Sequence, residues 1–414
     1  MTNARVAISG VGAVTAIGVN KDEYFSRLLN GESGIATVRY FDTSIFSTNI
    51  AGQIDRERLG FYFEKETGRP YEEYDQSAIP FAAVAIKEAL SDASLAPSDF
   101  RQKRTALVLA TAAGGINCGL AVHELYFHKK LAYSDLGMAK KYPFHSLTAE
   151  LSDLCGIGGY SVTNISACTS SNAAIAYAFD LIKSGLADVA ITGGMDILSP
   201  FEFSCFNAYR ALAREACRPF DKNREGLVLS EGAAMLVLEP FETAVGRKGV
   251  VEAEIGGYGI TNDAVDMTAP DAAGVSAAEA MRKALAKADA DSASIGYVAA
   301  HGTGTKLNDV AETAAIKNVF GKRAYDVPVS SVKGAIGHMN GAAGAIGAVT
   351  CVMSLSSGFI PPTINYQTPD EACDLDYVPN AARSSDVQAC LSNSYAFGGQ
   401  CSSLLIRKAG DRTC

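Results

Sequence analysis

Short apolar runs alternate with amphipathic stretches along the whole 414-residue chain. The β-type runs are RVAISG from Arg5, ALVLAT from Ala106, YSVTNI from Tyr160, DVAITGG from Asp188 and AAMLVLE from Ala233, then VEAEIGGYGI from Val251, YVAAHG from Tyr297, VPVSSV from Val327 and SSLLIRK from Ser402. Apolar positions at helical spacing follow Ser77, Ser170, Ser276 and Asp309, and Gly185 and Gly321 stand where helix C-caps belong. Strands that are apolar almost throughout, alternating with helices, predict an α/β fold whose strands are buried on both faces. The pattern restarts near Val251, which predicts two halves, residues 1–250 and 251–414. The longest apolar stretch, Gly341 to Leu355, is too short to span a bilayer and predicts a buried helix rich in Gly and Ala.

Composition narrows the function. Charged residues make up 20% and hydrophobic residues 48%, an ordinary profile for a soluble protein, and the net charge of −9 disfavours nucleic acid as a partner. Ten cysteines occur without a C-x-x-C pair, so neither zinc nor a secreted disulfide scaffold is expected, and a reducing cytoplasm fits. The N-terminus reads as a first strand and not as a signal peptide.

Four segments carry candidate chemistry. In NISACTSSNAAIAYAFDLIKSG a β run ends, Cys168 follows, and a helix opens. A thiol there meets free N–H groups and the positive end of the helix dipole, which favour the nucleophilic thiolate. A buried structural cysteine is the ordinary alternative for any one of the ten, and the strand-to-helix position sets Cys168 apart. In AAHGTGTKLND, His301 ends a strand and enters a loop with Thr303 and Thr305. In VSSVKGAIGHMNGAAGAIGAVTCV, Lys333 and His338 occupy a loop before a small-residue helix, and the glycines match neither a P-loop nor a dinucleotide fingerprint. In LSNSYAFGGQCSSLLI, Phe397-Gly398-Gly399 forms a turn whose N–H groups can serve an oxyanion, or which is an ordinary hairpin. His123 and His128 complete no metal pattern, and no metal site is expected.

These four segments in this order resemble the β-ketoacyl-acyl-carrier-protein synthases, especially the elongation type. The likeness also runs through SGVGAVTAIG from Ser9, FDTS from Phe41, CRPFDKNREGLVLSEGAAMLVLE from Cys217, HGTGT from His301, GFIPPTINYQTPDEACDLDYVPNAAR from Gly358 and NSYAFGG from Asn393. It implies a thiolase fold, with duplicated halves in a layered αβαβα arrangement, and a dimer. It implies an acyltransferase that condenses an acyl thioester with a malonyl thioester, in fatty-acid or type II polyketide or polyene biosynthesis. Cys168 would take the acyl chain, and His301 and His338 would stabilise the enolate formed as carbon dioxide leaves. Lys333 would act electrostatically beside them. The N–H groups of Cys168 and Phe397 would form the oxyanion hole, with Phe397 also gating the pocket, and Thr303, Thr305 and Gly398 would lie along the bound substrate. No cofactor is implied beyond the phosphopantetheine of an acyl carrier protein, and neither membrane nor nucleic acid is an expected partner.

The chain departs from the elongation pattern around the site. The segment between Tyr209 and Arg218 is short, Lys306 and Asn308 stand where Pro and Gly are common, and Val265 and Asp266 replace an aromatic and a His. A stretch that is basic in the housekeeping enzyme here holds Glu64, Glu66, Glu72, Glu73 and Asp75 against Lys65 and Arg69. These departures favour a specialised pathway and leave either a homodimer or a heterodimer with a related subunit; the alternative to a catalytic role is that this chain is itself a non-catalytic partner of the chain-length-factor kind.

Overall fold

The computed structural model describes residues 5–410 except 248 and 250. Ten strands form one sheet: β1 (Val6–Val14), β2 (Thr105–Ala110), β3 (Tyr160–Asn164), β4 (Val189–Asp196), β5 (Gly232–Pro240), β6 (Ala253–Asn262), β7 (Tyr297–Ala299), β8 (Val329–Ser330), β9 (Ala389–Tyr395) and β10 (Gln400–Arg407). Their order is β8-β7-β9-β10-β6-β1-β5-β4-β2-β3. From the middle outward the first five follow the order β1-β5-β4-β2-β3 and the last five β6-β10-β9-β7-β8. The senses repeat too: the two inner pairings of each half are antiparallel and the two outer ones parallel. β1 and β6 pair antiparallel at the seam.

The principal helices repeat as well. In the first half α1 (Ile79–Asp92) follows β1, α2 (Phe144–Cys155) lies between β2 and β3, and α3 (Ser170–Lys183) follows β3. In the second, α4 (Val275–Lys287), α5 (Lys306–Phe320) and α6 (Ala343–Ser357) take the corresponding places.

Side-chain alternation explains the layers. Along β2, Ala106, Val108 and Ala110 point into one core with α3 and α6, while Leu107 and Leu109 point into another with α1. The second half does the same: Cys390 and Leu404 join the α3/α6 core, and Leu391 and Leu405 join a core under α4 and α5. The two sheet halves therefore enclose α3 and α6, with the other helices outside, which gives the αβαβα order. The Gly341–Leu355 stretch is, as expected, largely the buried helix α6. It comes close to its neighbours because it is built from small residues: a Cβ on Gly344 would sit 2.4 Å from Asn172 Oδ1 on α3. Among the described residues no helix is long and apolar enough to cross a membrane.

Candidate active site

The segment between β3 and α3 makes a tight turn. Ala167 holds φ at 49°, a left-handed conformation that costs a non-glycine residue about 1 kcal/mol or more. Hydroxyls brace the turn: Thr169 Oγ1 donates to Ser166 O (2.7 Å), Ser170 Oγ to Ala167 O (2.6 Å) and Ser394 Oγ to Cys168 O (2.8 Å). Cys168 thus sits immediately before Thr169, the N-cap of α3.

The expected preference for thiolate is corrected here. Burial pushes the Cys168 thiol up to about 12, with Lys333 acting in the opposite direction. The thiol is therefore protonated in the resting site, because desolvation outweighs what the helix end and the lysine offer.

His301 follows β7 in a loop gripped by one carboxylate. Glu312 of α5 accepts from His301 N–H (2.9 Å) and Gly302 N–H (2.8 Å), and Lys333 Nζ donates to His301 O. Lys333 opens a one-turn helix, Lys333–Ile336, where a loop was expected. His338 lies beyond that turn and crosses to the first half, where its N–H donates to Val228 O (2.7 Å) and its carbonyl accepts from Ser230 N–H (2.9 Å).

The two imidazoles face each other with ring centroids 5.4 Å apart and planes at 84°. Burial, with the nearby Lys333 charge, holds both well below the usual histidine range, so both are neutral. Asn340 N–H donates to His338 Nδ1 (3.2 Å), which leaves the proton of that ring on Nε2. His301 Nδ1 is buried and has no hydrogen-bond partner among the described residues, and the same holds for the hydroxyl of Tyr395, whose ring centroid is 5.5 Å from that of His301.

A cavity of about 290 Å³ is lined by Cys168, His301, His338, Thr303, Thr305 and Phe397 together with Phe206, Tyr209, Arg210, Lys306 and Tyr395. Thr303 and Thr305 share a hydroxyl hydrogen bond of 2.8 Å. Phe397 stacks on Phe206 (5.7 Å, 30°) and meets Tyr209 edge-on (5.4 Å, 75°). Neither Cys168 N–H nor Phe397 N–H donates to a described backbone carbonyl, so both are free for an oxyanion.

Two of the expected residues stand off the cavity wall. Lys333 lies behind His301, and Gly398 spends its backbone on a latch, donating to Met267 O (2.8 Å) and accepting from Asn262 Nδ2 (2.7 Å). Sequence reasoning missed Glu312, Tyr395, Phe206 and Tyr209. Only Tyr395 had a local signal, being inside NSYAFGG, and the others are recognisable only from tertiary contacts. Among the described residues no group of three or more His, Cys, Asp and Glu is placed to hold a metal ion.

The chain belongs to the β-ketoacyl synthase family: residues 3–244 match the family's N-terminal domain and residues 252–367 its C-terminal domain. The tetracenomycin polyketide synthase ketoacyl synthase alpha subunit of Streptomyces glaucescens is 36% identical over 99% of this chain and 98% of its own. The 3-oxoacyl-[acyl-carrier-protein] synthase 2 of Staphylococcus aureus (strain N315) is 35% identical over 98% and 99%. Among solved structures, the ishigamide ketosynthase/chain length factor superposes with a TM-score of 0.91 at 32% identity, covering 99% of this chain and 100% of that one. A type II polyketide ketosynthase in complex with its acyl-carrier protein superposes at 0.88 with 30% identity and the same coverage. These neighbours share the thiolase fold described above.

Proposed function

We propose that this protein is a β-ketoacyl synthase that joins an acyl thioester to malonyl-acyl-carrier protein by decarboxylative Claisen condensation. The observation that carries the reading is one cavity walled by a thiol at a helix start, two neutral imidazoles and two unspent backbone N–H groups.

Cys168 Sγ attacks the acyl thioester carbonyl, whose oxyanion the Cys168 and Phe397 N–H groups receive, and the carrier thiol leaves with the proton of Cys168. Malonyl thioester then enters. Its bond to the carboxylate breaks, carbon dioxide departs, and the electron pair forms an enolate stabilised by the two imidazoles, His338 through Nε2–H. The enolate carbon attacks the acyl-Cys168 carbonyl. The carbon–sulfur bond breaks, and the expelled Cys168 thiolate takes a proton from solvent, the one proton that the overall condensation consumes. Thr303 and Thr305 line the path of the pantetheine arm. In this reading the only prosthetic group is the carrier's phosphopantetheine, the nucleophile belongs to residues 1–250 and the imidazoles to residues 251–414, and the enzyme works in the cytoplasm.

Two exposed cations of the cavity lining, Arg210 and Lys306, make no ion pair among the described residues and would meet the arm's phosphodiester, with Glu225 the one acidic side chain in the same lining. The helix Arg56–Thr67 and the turn after it present the acidic stretch instead, which favours a specialised pathway and a dimer in which a related subunit supplies part of the docking surface. A non-catalytic, chain-length-factor-like role for this chain is disfavoured by the presence of Cys168 in the cavity.

The test is condensation by the purified chain with acyl-carrier and malonyl-carrier substrates, following carbon dioxide and β-ketoacyl-carrier. Turnover alone supports a homodimer, and turnover only with a related subunit added supports the heteromer. Absence of both, with Cys168 unreactive to iodoacetamide, overturns the reading.

A further inference from the structure

His301 and His338 are both buried and neutral, yet their second nitrogens are treated differently. His338 Nδ1 accepts a backbone N–H from Asn340 (3.2 Å), which settles where that ring keeps its proton. His301 Nδ1 has no such partner among the described residues. The polar groups around it are already engaged: Glu312 receives the N–H groups of His301 and Gly302, and Lys333 Nζ donates to the His301 carbonyl. Besides His338 Nε2–H, which the reading above gives to the enolate in the cavity, one more donor beside the ring is unengaged among the described residues. Tyr395, at the end of β9, is 8% exposed, its hydroxyl is buried without a partner, and its ring lies 5.5 Å from the imidazole at 63°.

Two orphaned polar atoms on touching side chains, one able to donate and the other to accept, are costly apart and satisfied together. We propose that Tyr395 is a positioning residue for His301. Its hydroxyl donates to Nδ1, by rotation of the two side chains or through one bridging water, and thereby keeps the His301 proton on Nε2. The two histidines then present matching Nε2–H donors to the enolate oxygen, one set by a main-chain N–H and the other by a phenol. The role in the reaction rests on the condensing activity proposed above, whereas the hydrogen bond itself does not.

Tyr395→Phe removes one oxygen and keeps the ring, so the packing of β9 is preserved. The experiment compares ring-nitrogen NMR of ¹⁵N-histidine-labelled wild type and Tyr395→Phe, with His301 assigned through His301→Ala, alongside malonyl-carrier decarboxylation. In the wild type, His301 shows the Nε2–H tautomer. In the variant it becomes a mixture, and kcat for carbon dioxide release falls by about tenfold with KM for the carrier little changed. An unchanged His301 tautomer in the variant overturns the proposal whatever the rate does, since it means that the phenol serves another acceptor, such as Glu312. A tautomer change without loss of rate supports the hydrogen bond and instead counts against His301 as the enolate donor, which separates this proposal from the functional reading.

Discussion

The two halves repeat strand order, strand sense and helix placement, and yet they arm corresponding places differently. Each outermost strand leads toward a central helix, β3 to α3 and β8 to α6. Before α3 the chain places a thiol next to the helix cap, and before α6 it places Lys333, a one-turn helix and then an imidazole. The second strand of each half also ends near the site. After β2, the N–H groups of Ala112 and Ala113 bind Asp196, and after β7, those of His301 and Gly302 bind Glu312. A buried carboxylate thus pins both loops, but of the two only the second carries an imidazole that lines the cavity. Duplication supplied two equivalent frames around one centre, and the chemistry depends on their having diverged.

The largest effect should separate the halves by reaction step. Cys168→Ser replaces a thiol with a far weaker nucleophile, so condensation falls by about a thousandfold or more, with the defect in acyl transfer to the protein, measured by intact mass after incubation with acyl-carrier. His301→Ala and His338→Ala should still become acylated and should lose about a hundredfold or more in carbon dioxide release from malonyl-carrier. Failure of acylation in both histidine variants, with the fold intact, would erase the division of labour between the halves.

A smaller effect concerns protonation. An ordinary histidine titrates near 6.5, and His301 and His338 are held well below that by burial and then by Lys333. Decarboxylation should therefore stay level as pH falls through 6.5, with its acid limb below that value. Lys333→Met removes the nearby charge and leaves burial in place, so the limb moves to higher pH while remaining below the ordinary value. A limb that does not move shows that Lys333 acts on neither ring.

The smallest effect probes the brace across the seam. Ser394→Ala deletes the 2.8 Å hydrogen bond from β9 to Cys168 O and should cost about 1 kcal/mol of stability, read from denaturant unfolding. A loss of condensation much larger than that stability change implies would mean that the second half also positions the nucleophile of the first.

Much of this architecture is legible in the sequence, because strands buried on both faces are apolar almost throughout and the helices between them are not. The runs YVAAHG and VPVSSV mark β7 and β8, but the strands are only Tyr297–Ala299 and Val329–Ser330. Both runs continue into the loops that carry the site, where side-chain hydrogen bonds replace ladder bonds and apolar pattern ceases to report conformation. Cys168, His301 and His338 stand out because a strand end beside glycine or a helix start is a local feature. Glu312 does not stand out, being one carboxylate in a helix, and its grip on the His301 loop exists only after folding. The protonation state of Cys168 was not legible for a related reason: the helix end is visible in the sequence, whereas the depth of burial that overrides it is not.

The close approach of α6 to α3 has a consequence for how this gene can drift. At Gly344 any side chain would collide with Asn172, and at Gly341 a Cβ would lie 2.5 Å from Ala112 N. Neither glycine lines the cavity. A library of random variants selected for survival should nevertheless leave both nearly blank, as bare of substitutions as Cys168 itself. Residues that never meet the acyl chain can veto change as firmly as those that do, because moving α6 outward would displace the loop that holds His338.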